Sequence, residues 1–100
     1  MSNAPGFRLD TGNPATLGVS GVLGFDNAAA AWQAIRAGLA TGSATRLDLS
    51  GVSHCDSAGL ACVLAAVADS GRHGHRVQVA GMPSGMRALA RVCEVDGLLS

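Results

Sequence analysis

The reading of the fold turns on Leu47-Asp48-Leu49-Ser50-Gly51-Val52-Ser53-His54-Cys55-Asp56-Ser57-Ala58-Gly59-Leu60. Arg46 to Ser50 alternates apolar and polar residues, the period of a half-buried strand. Val52 to Asp56 is turn-rich and leads to a helix that runs from Ser57 to about Ser70. The first backbone N–H groups of such a helix lack intrahelical partners, and a side chain there sees a partial positive potential. A hydroxyl at that point can cap the helix, carry a phosphate or bond a docked protein. Gly59, without a Cβ, lets another backbone approach the first turn closely. Gly71 follows the apolar run and reads as the residue that stops it.

Working outward, Phe7-Arg8-Leu9-Asp10 alternates, Thr11 to Pro14 is dense in turn formers, and Thr16 to Val22 alternates again. That is an antiparallel hairpin. Residues 1–6 read as a flexible leader before a single domain over 7–100. Asp26 or Asn27 caps an Ala-rich helix whose Ala28, Trp32, Ile35 and Leu39 share one face. Val77 to Gly81 is a further strand, and Pro83 fits the first position of a third helix. Met86, Leu89, Ala90 and Cys93 form its apolar stripe, with Leu98 and Leu99 packing a short tail on the core. The order is β-β-α-β-α-β-α. The fold class is α/β, a small mixed sheet of four strands with right-handed parallel crossovers joined to the hairpin and helices packed on it.

Seven Arg and no Lys balance seven acidic residues, so there is no basic stripe for nucleic acid. Three aromatic residues, Phe7, Phe25 and Trp32, make no base-stacking platform. No apolar run reaches the roughly 18 residues of a bilayer span, and the first residues lack the order of a signal peptide. A cytoplasmic protein is expected. Cys55, Cys62 and Cys93 are odd in number and read as reduced, buried thiols, without disulfides.

The helix from Ser57 needs only one stripe to cover a sheet, and Leu60, Val63, Leu64 and Val67 supply it. Ala58, Cys62, Ala65 and Ala66 leave the other side small and weakly polar, with Asp69 the first charge. An exposed face of this kind marks a contact surface; the alternative is a helix buried on both sides. His54-Cys55-Asp56-Ser57 holds the residue types of a hydrolase triad, but neighbours on an extended segment point to opposite sides and make no relay. Arg72-His73-Gly74-His75-Arg76 follows a helix C-terminus, where positive charge is favoured. A His-x-His metal site would need further ligands, and the flanking Arg repel a cation. No phosphate-cradling pattern is present, so neither cofactor nor metal is expected, and no enzymatic activity.

The order of elements, with the Leu47-Asp48-Leu49 strand, the Asp56-Ser57-Ala58-Gly59-Leu60 helix start and the Val77-Gln78-Val79-Ala80-Gly81 strand, resembles the STAS domain family. This is the module of anti-sigma factor antagonists and sulfate-transporter tails, and the resemblance covers residues 7–99. In phospho-switched members the acceptor is the Ser or Thr directly before Gly-Leu. Here that residue is Ala58, and Ser57 sits roughly 100° around the helix. The pattern Asp-hydroxyl-small-Gly-Leu is similar to the Mla-type branch. What the resemblance implies is an accessory subunit on the ATPase of a phospholipid ABC transporter, supporting outer-membrane lipid asymmetry and peripheral to the inner membrane through its complex. It implies contacts through Asp56, Ser57, Ala58, Gly59 and Leu60, with Cys62, Ala65, Ala66 and Asp69 on the outward side. The alternative within the family is an anti-sigma factor antagonist switched by a kinase, with Ser57 as the residue open to phosphorylation.

Overall fold

A computed structural model describes residues 6–41 and 43–94. The chain forms β1 (Phe7–Asn13), β2 (Thr16–Leu23), α1 (Ala28–Thr41), β3 (Arg46–Cys55), α2 (Ser57–Arg72), β4 (Gln78–Ala80) and α3 (Ser84–Val92). One sheet takes the order β1-β2-β3-β4, antiparallel between β1 and β2 and parallel thereafter. The expected α/β order and four-stranded mixed sheet are what the chain adopts. Successive crossovers step the same way, from β2 to β3 to β4, so connections of one hand leave α1 and α2 on one face. The strands record this. Leu17, Val19 and Leu23 on β2 and Leu47, Leu49 and Val52 on β3 are buried, while Thr16, Gly18, Ser20, Arg46, Asp48 and Ser50 between them are not. Helices clothe one side of the sheet and water the other.

Several boundaries differ from the sequence reading. β3 does not end at Ser50; it continues to Cys55. Its pairing with β2 slips twice, between Gly18 and Ser20 and again between Gly21 and Val22, and each slip inserts one extra residue on β3. The inward residues are therefore Leu47, Leu49, Val52 and Cys55, with three-residue steps where a regular strand takes two. Those steps break the alternation and make 52–56 look like a loop. α2 runs through Gly71 to Arg72. The left-handed residue past its end is Gly74, at φ 75°. His75 N donates to Ser70 O at 2.9 Å and Gly74 N to Gly71 O at 3.1 Å, which closes the carbonyl end of the helix in a Schellman motif.

β4 keeps only Gln78–Ala80 of the expected strand, and Pro83 precedes α3 as its N-cap rather than its first helical residue. Asn27 stands before α1, but its side chain serves the turn behind it. Its Oδ1 accepts from Gly24 N at 2.9 Å and its Nδ2 donates to Val22 O at 2.8 Å. On α1 the fully buried residues are Ala31, Ile35 and Leu39; Trp32 is half-buried, with the Arg36 guanidinium 5.0 Å from its ring centre. On α3, Met86 and Ala90 are buried, whereas Cys93 caps the helix end and is exposed. The buried-thiol expectation is thus corrected at Cys93 and holds for Cys62, with Cys55 half-buried. Leu98, Leu99 and residues 1–5 lie outside the described residues.

Candidate functional site

The end of the molecule where β2 and β3 finish is organised by one carboxylate. Asp56 is the N-cap of α2, with extended backbone at φ −103° and ψ −173°. Its Oδ1 accepts from Gly59 N at 3.0 Å, and its Oδ2 accepts from Phe25 N at 3.0 Å, across 31 residues of sequence. Its own N–H donates to Leu23 O at 3.2 Å. One side chain thus closes the helix start and holds the β2–α1 turn against it. These amide donors, Gly59 first and Phe25 second, keep the Asp56 carboxyl below the usual aspartate range. Gly59 is required by the same packing: a Cβ there would collide with the Leu23 carbonyl oxygen.

Around this joint the exposed groups include the Ser57 side chain in the first turn of α2, Asp26, His54 and the Phe25 ring, which is 84% exposed. Val22, at 40%, is the neighbouring exposed apolar residue on β2. Along α2 the solvent-facing stripe is Ser57, Ala61, Ala65, Ala68 and Arg72, at helical spacings of four, four, three and four. Ala58 and Leu64 border it, partly covered.

The expected contact set divides accordingly. Asp56, Ser57 and Ala58 sit together at the helix start, and Ala65 lies on the exposed stripe. Gly59, Leu60, Cys62 and Ala66 face inward, with Cys62 5% exposed and Ala66 wholly buried. The placement of Cys62 and Ala66 on the outward side is corrected. α2 packs against the sheet and also against α1 and α3, so its buried arc is wider than one stripe. Asp69 lies roughly 18 Å along the axis from Ser57. There it pairs with Arg72 at 3.1 Å and accepts through its backbone carbonyl from His73 Nδ1 at 2.8 Å. It borders a groove between α1 and α2 that also includes Arg36, Leu39 and His75.

Phe25, Ala61 and Ala68 were not among the expected residues. The two alanines could have been found by continuing the spacing from Ser57. Phe25, an aromatic residue in a turn after Gly24, signalled its exposure but not its neighbour, because Asp56 is distant in sequence. The triad residue types make no relay here: Asp56 is engaged by backbone amides, His54 is exposed, and the Cys55 thiol donates to Asp56 O at 3.3 Å. Burial, with Asp56 nearby, pushes the Cys55 thiol up to about 11, so it stays protonated at neutral pH. The His pair is split as well. His75 Nε2 donates to Ala44 O at 2.6 Å, which pins the α2–β4 loop to the segment just before β3. No helix among the described residues is long and apolar enough to cross a membrane.

A capped helix start directly after β3, on a four-stranded mixed sheet clad on one side, is the arrangement that the STAS resemblance implies. The family model described as "Mlab, STAS domain" matches residues 9–100, and the chain belongs to that family. Among solved structures, the anti-sigma factor antagonist SpoIIAA in its unphosphorylated form superposes with a TM-score of 0.69 at 16% identity, covering 94% of this chain and 85% of that one. The Bacillus cell fate determinant SpoIIAA in its phosphorylated form gives 0.65 at 17% identity, covering 94% and 88%. At such identities the likeness is one of fold. No curated protein sequence matches the chain.

Proposed function

We propose that the chain is a non-enzymatic accessory subunit that binds the ATPase of an Mla-type phospholipid ABC transporter, in the cytoplasm and peripheral to the inner membrane through its complex. The observation that carries this reading is the pairing of Ala58 before Gly59-Leu60 with an exposed Ser57 one residue earlier, on a helix start fixed by Asp56. Such a start offers a rigid contact whose carboxylate, Asp56, is already bonded to backbone amides. Small side chains at Ala58, Ala61 and Ala65 admit a partner helix at close range, and Ser57 supplies one hydrogen bond to set its register. The subunit works by population shift. Binding one conformation of the ATPase more tightly than another favours that conformation by the difference in affinity. Transport of phospholipid, and with it outer-membrane lipid asymmetry, would be tuned through that preference.

The test is co-purification of the ATPase with Ser57→Arg, which sets a long cation on the exposed surface without touching the core. Loss of the ATPase with an unchanged melting temperature is expected; retained binding counts against this surface. The likeness to SpoIIAA, solved in a phosphorylated form, favours a second reading as an anti-sigma factor antagonist. Its signature is kinase-dependent phosphate on Ser57 that releases a bound partner.

A further inference from the structure

Among the described residues β1 is an outer strand of the sheet, paired with β2 on one side only. Val22 N donates to Gly6 O at 2.7 Å, so Gly6 and Val22 are a hydrogen-bonded pair of the hairpin. By alternation the opposed pairs Arg8–Ser20 and Asp10–Gly18 are hydrogen-bonded too. The N–H and C=O groups of Phe7 and Leu9 therefore point away from β2, along the edge, while Thr11 falls in the register shift after Asp10. Such an edge is a template for another strand unless something blocks it. Here the side chains supply a rule for which strand. Arg8 and Asp10 are exposed on the open face of the sheet, Asp10 Oδ1 accepting from Gly12 N at 2.9 Å, and the ion pairs found among the described residues lie elsewhere, at Asp69 on α2.

We propose that β1 is self-complementary and that two copies of this chain join along it, antiparallel, about a twofold axis at Leu9. In that register Leu9 pairs with Leu9 of the second copy through the outward backbone groups, and Phe7 falls opposite Thr11. Arg8 of each copy then stands directly opposite Asp10 of the other. These are non-hydrogen-bonded positions, where opposed Cα atoms approach to about 4.5 Å and side chains meet most closely. Other registers lose this match. A twofold at position 8 opposes two arginines, and one at position 10 opposes two aspartates. Phe7 and Leu9, partly exposed at the margin of the core, would be covered on the helix side of the joined sheet. The β1–β2 register shifts after Asp10, which limits the pairing to a short strand and makes the dimer a weak, salt-sensitive one. The inference is independent of the transporter reading, because it rests on the β1 edge and uses neither Ser57 nor the exposed stripe of α2.

The test is sedimentation velocity on the full chain from micromolar to millimolar concentration. A monomer–dimer equilibrium that weakens in high salt is expected. Arg8→Asp and Asp10→Arg should each raise the dissociation constant about tenfold or more. Mixing these two variants should yield a heterodimer, since both cross-strand pairs are then opposite in sign, and the double swap should regain self-association. Circular dichroism melts establish that each variant is folded. A chain that stays monomeric at millimolar concentration overturns the proposal, including the case where the edge instead takes a strand of another protein. So does a dimer that the single reversals leave unchanged, or a mixture that gains no heterodimer.

Discussion

The two ends of α2 are held by different means. At the Ser57 end one carboxylate binds backbone amides of two elements, and a bare Cα lies on the end of β2. At the Arg72 end the helix closes on its own carbonyls through Gly74, and a histidine side chain reaches across to Ala44. The first arrangement ties α2 to another element without slack, since Gly59 lies directly on the Leu23 carbonyl. At the second the backbone bonds stay within the helix end, and the tie across to Ala44 is a side chain with rotamer freedom on a loop. A rigid end suits a docking contact, because little ordering remains to be done when a partner arrives.

Substitutions should separate the two ends sharply. The largest effect is expected from Gly59→Ala, whose methyl group meets a carbonyl oxygen that cannot rotate away. The cost should reach the upper end of the roughly 1–3 kcal/mol typical of overpacking, read from chemical denaturation. Asp56→Ala comes next, with a lower melting temperature and a β2–α1 turn whose amides exchange faster. Its pH dependence is diagnostic. The Asp56 carboxyl is held below its ordinary value, so its contribution is complete above about pH 4 and is withdrawn as pH falls through the depressed value. The wild type should therefore lose stability on acidification more steeply than Asp56→Ala.

The Arg72 end should be more forgiving. His75→Ala removes a single hydrogen bond to Ala44 and should cost about 1 kcal/mol, with loosening confined to residues 72–77 in hydrogen exchange. Gly71→Ala should raise stability slightly. Nothing lies within 4 Å of the added methyl, and helix-interior glycine is worse than alanine by roughly 0.5–1 kcal/mol, less near an end. A loss on Gly71→Ala larger than that on Gly59→Ala would invert the comparison.

The same contrast explains what could be read from the chain in advance. The Leu47-Asp48-Leu49 alternation and the apolar run from Ser57 are local, and both led to the right elements, although the cap is the Asp56 carboxylate and not a hydroxyl. Asp56 to Phe25 and His75 to Ala44 each span 31 residues, and no periodicity encodes them. The inward turn of Cys62 and Ala66 was hidden for a related reason. How wide an arc of α2 is covered depends on where α1 and α3 come to rest, not on α2 itself. Gly71 misled because a glycine late in a helix resembles a terminator, and only the positive φ of Gly74 tells which one serves.

The two surplus residues of β3 bear on how this chain can change length over evolution. Between Leu49 and Cys55 every side chain's direction depends on both being present. Deleting one would turn Val52 or Cys55 outward and present the next helix rotated to its neighbours. Insertions and deletions should therefore accumulate in the turns at 24–27 and 72–77, while the ten residues of β3 keep their count even where their identities drift.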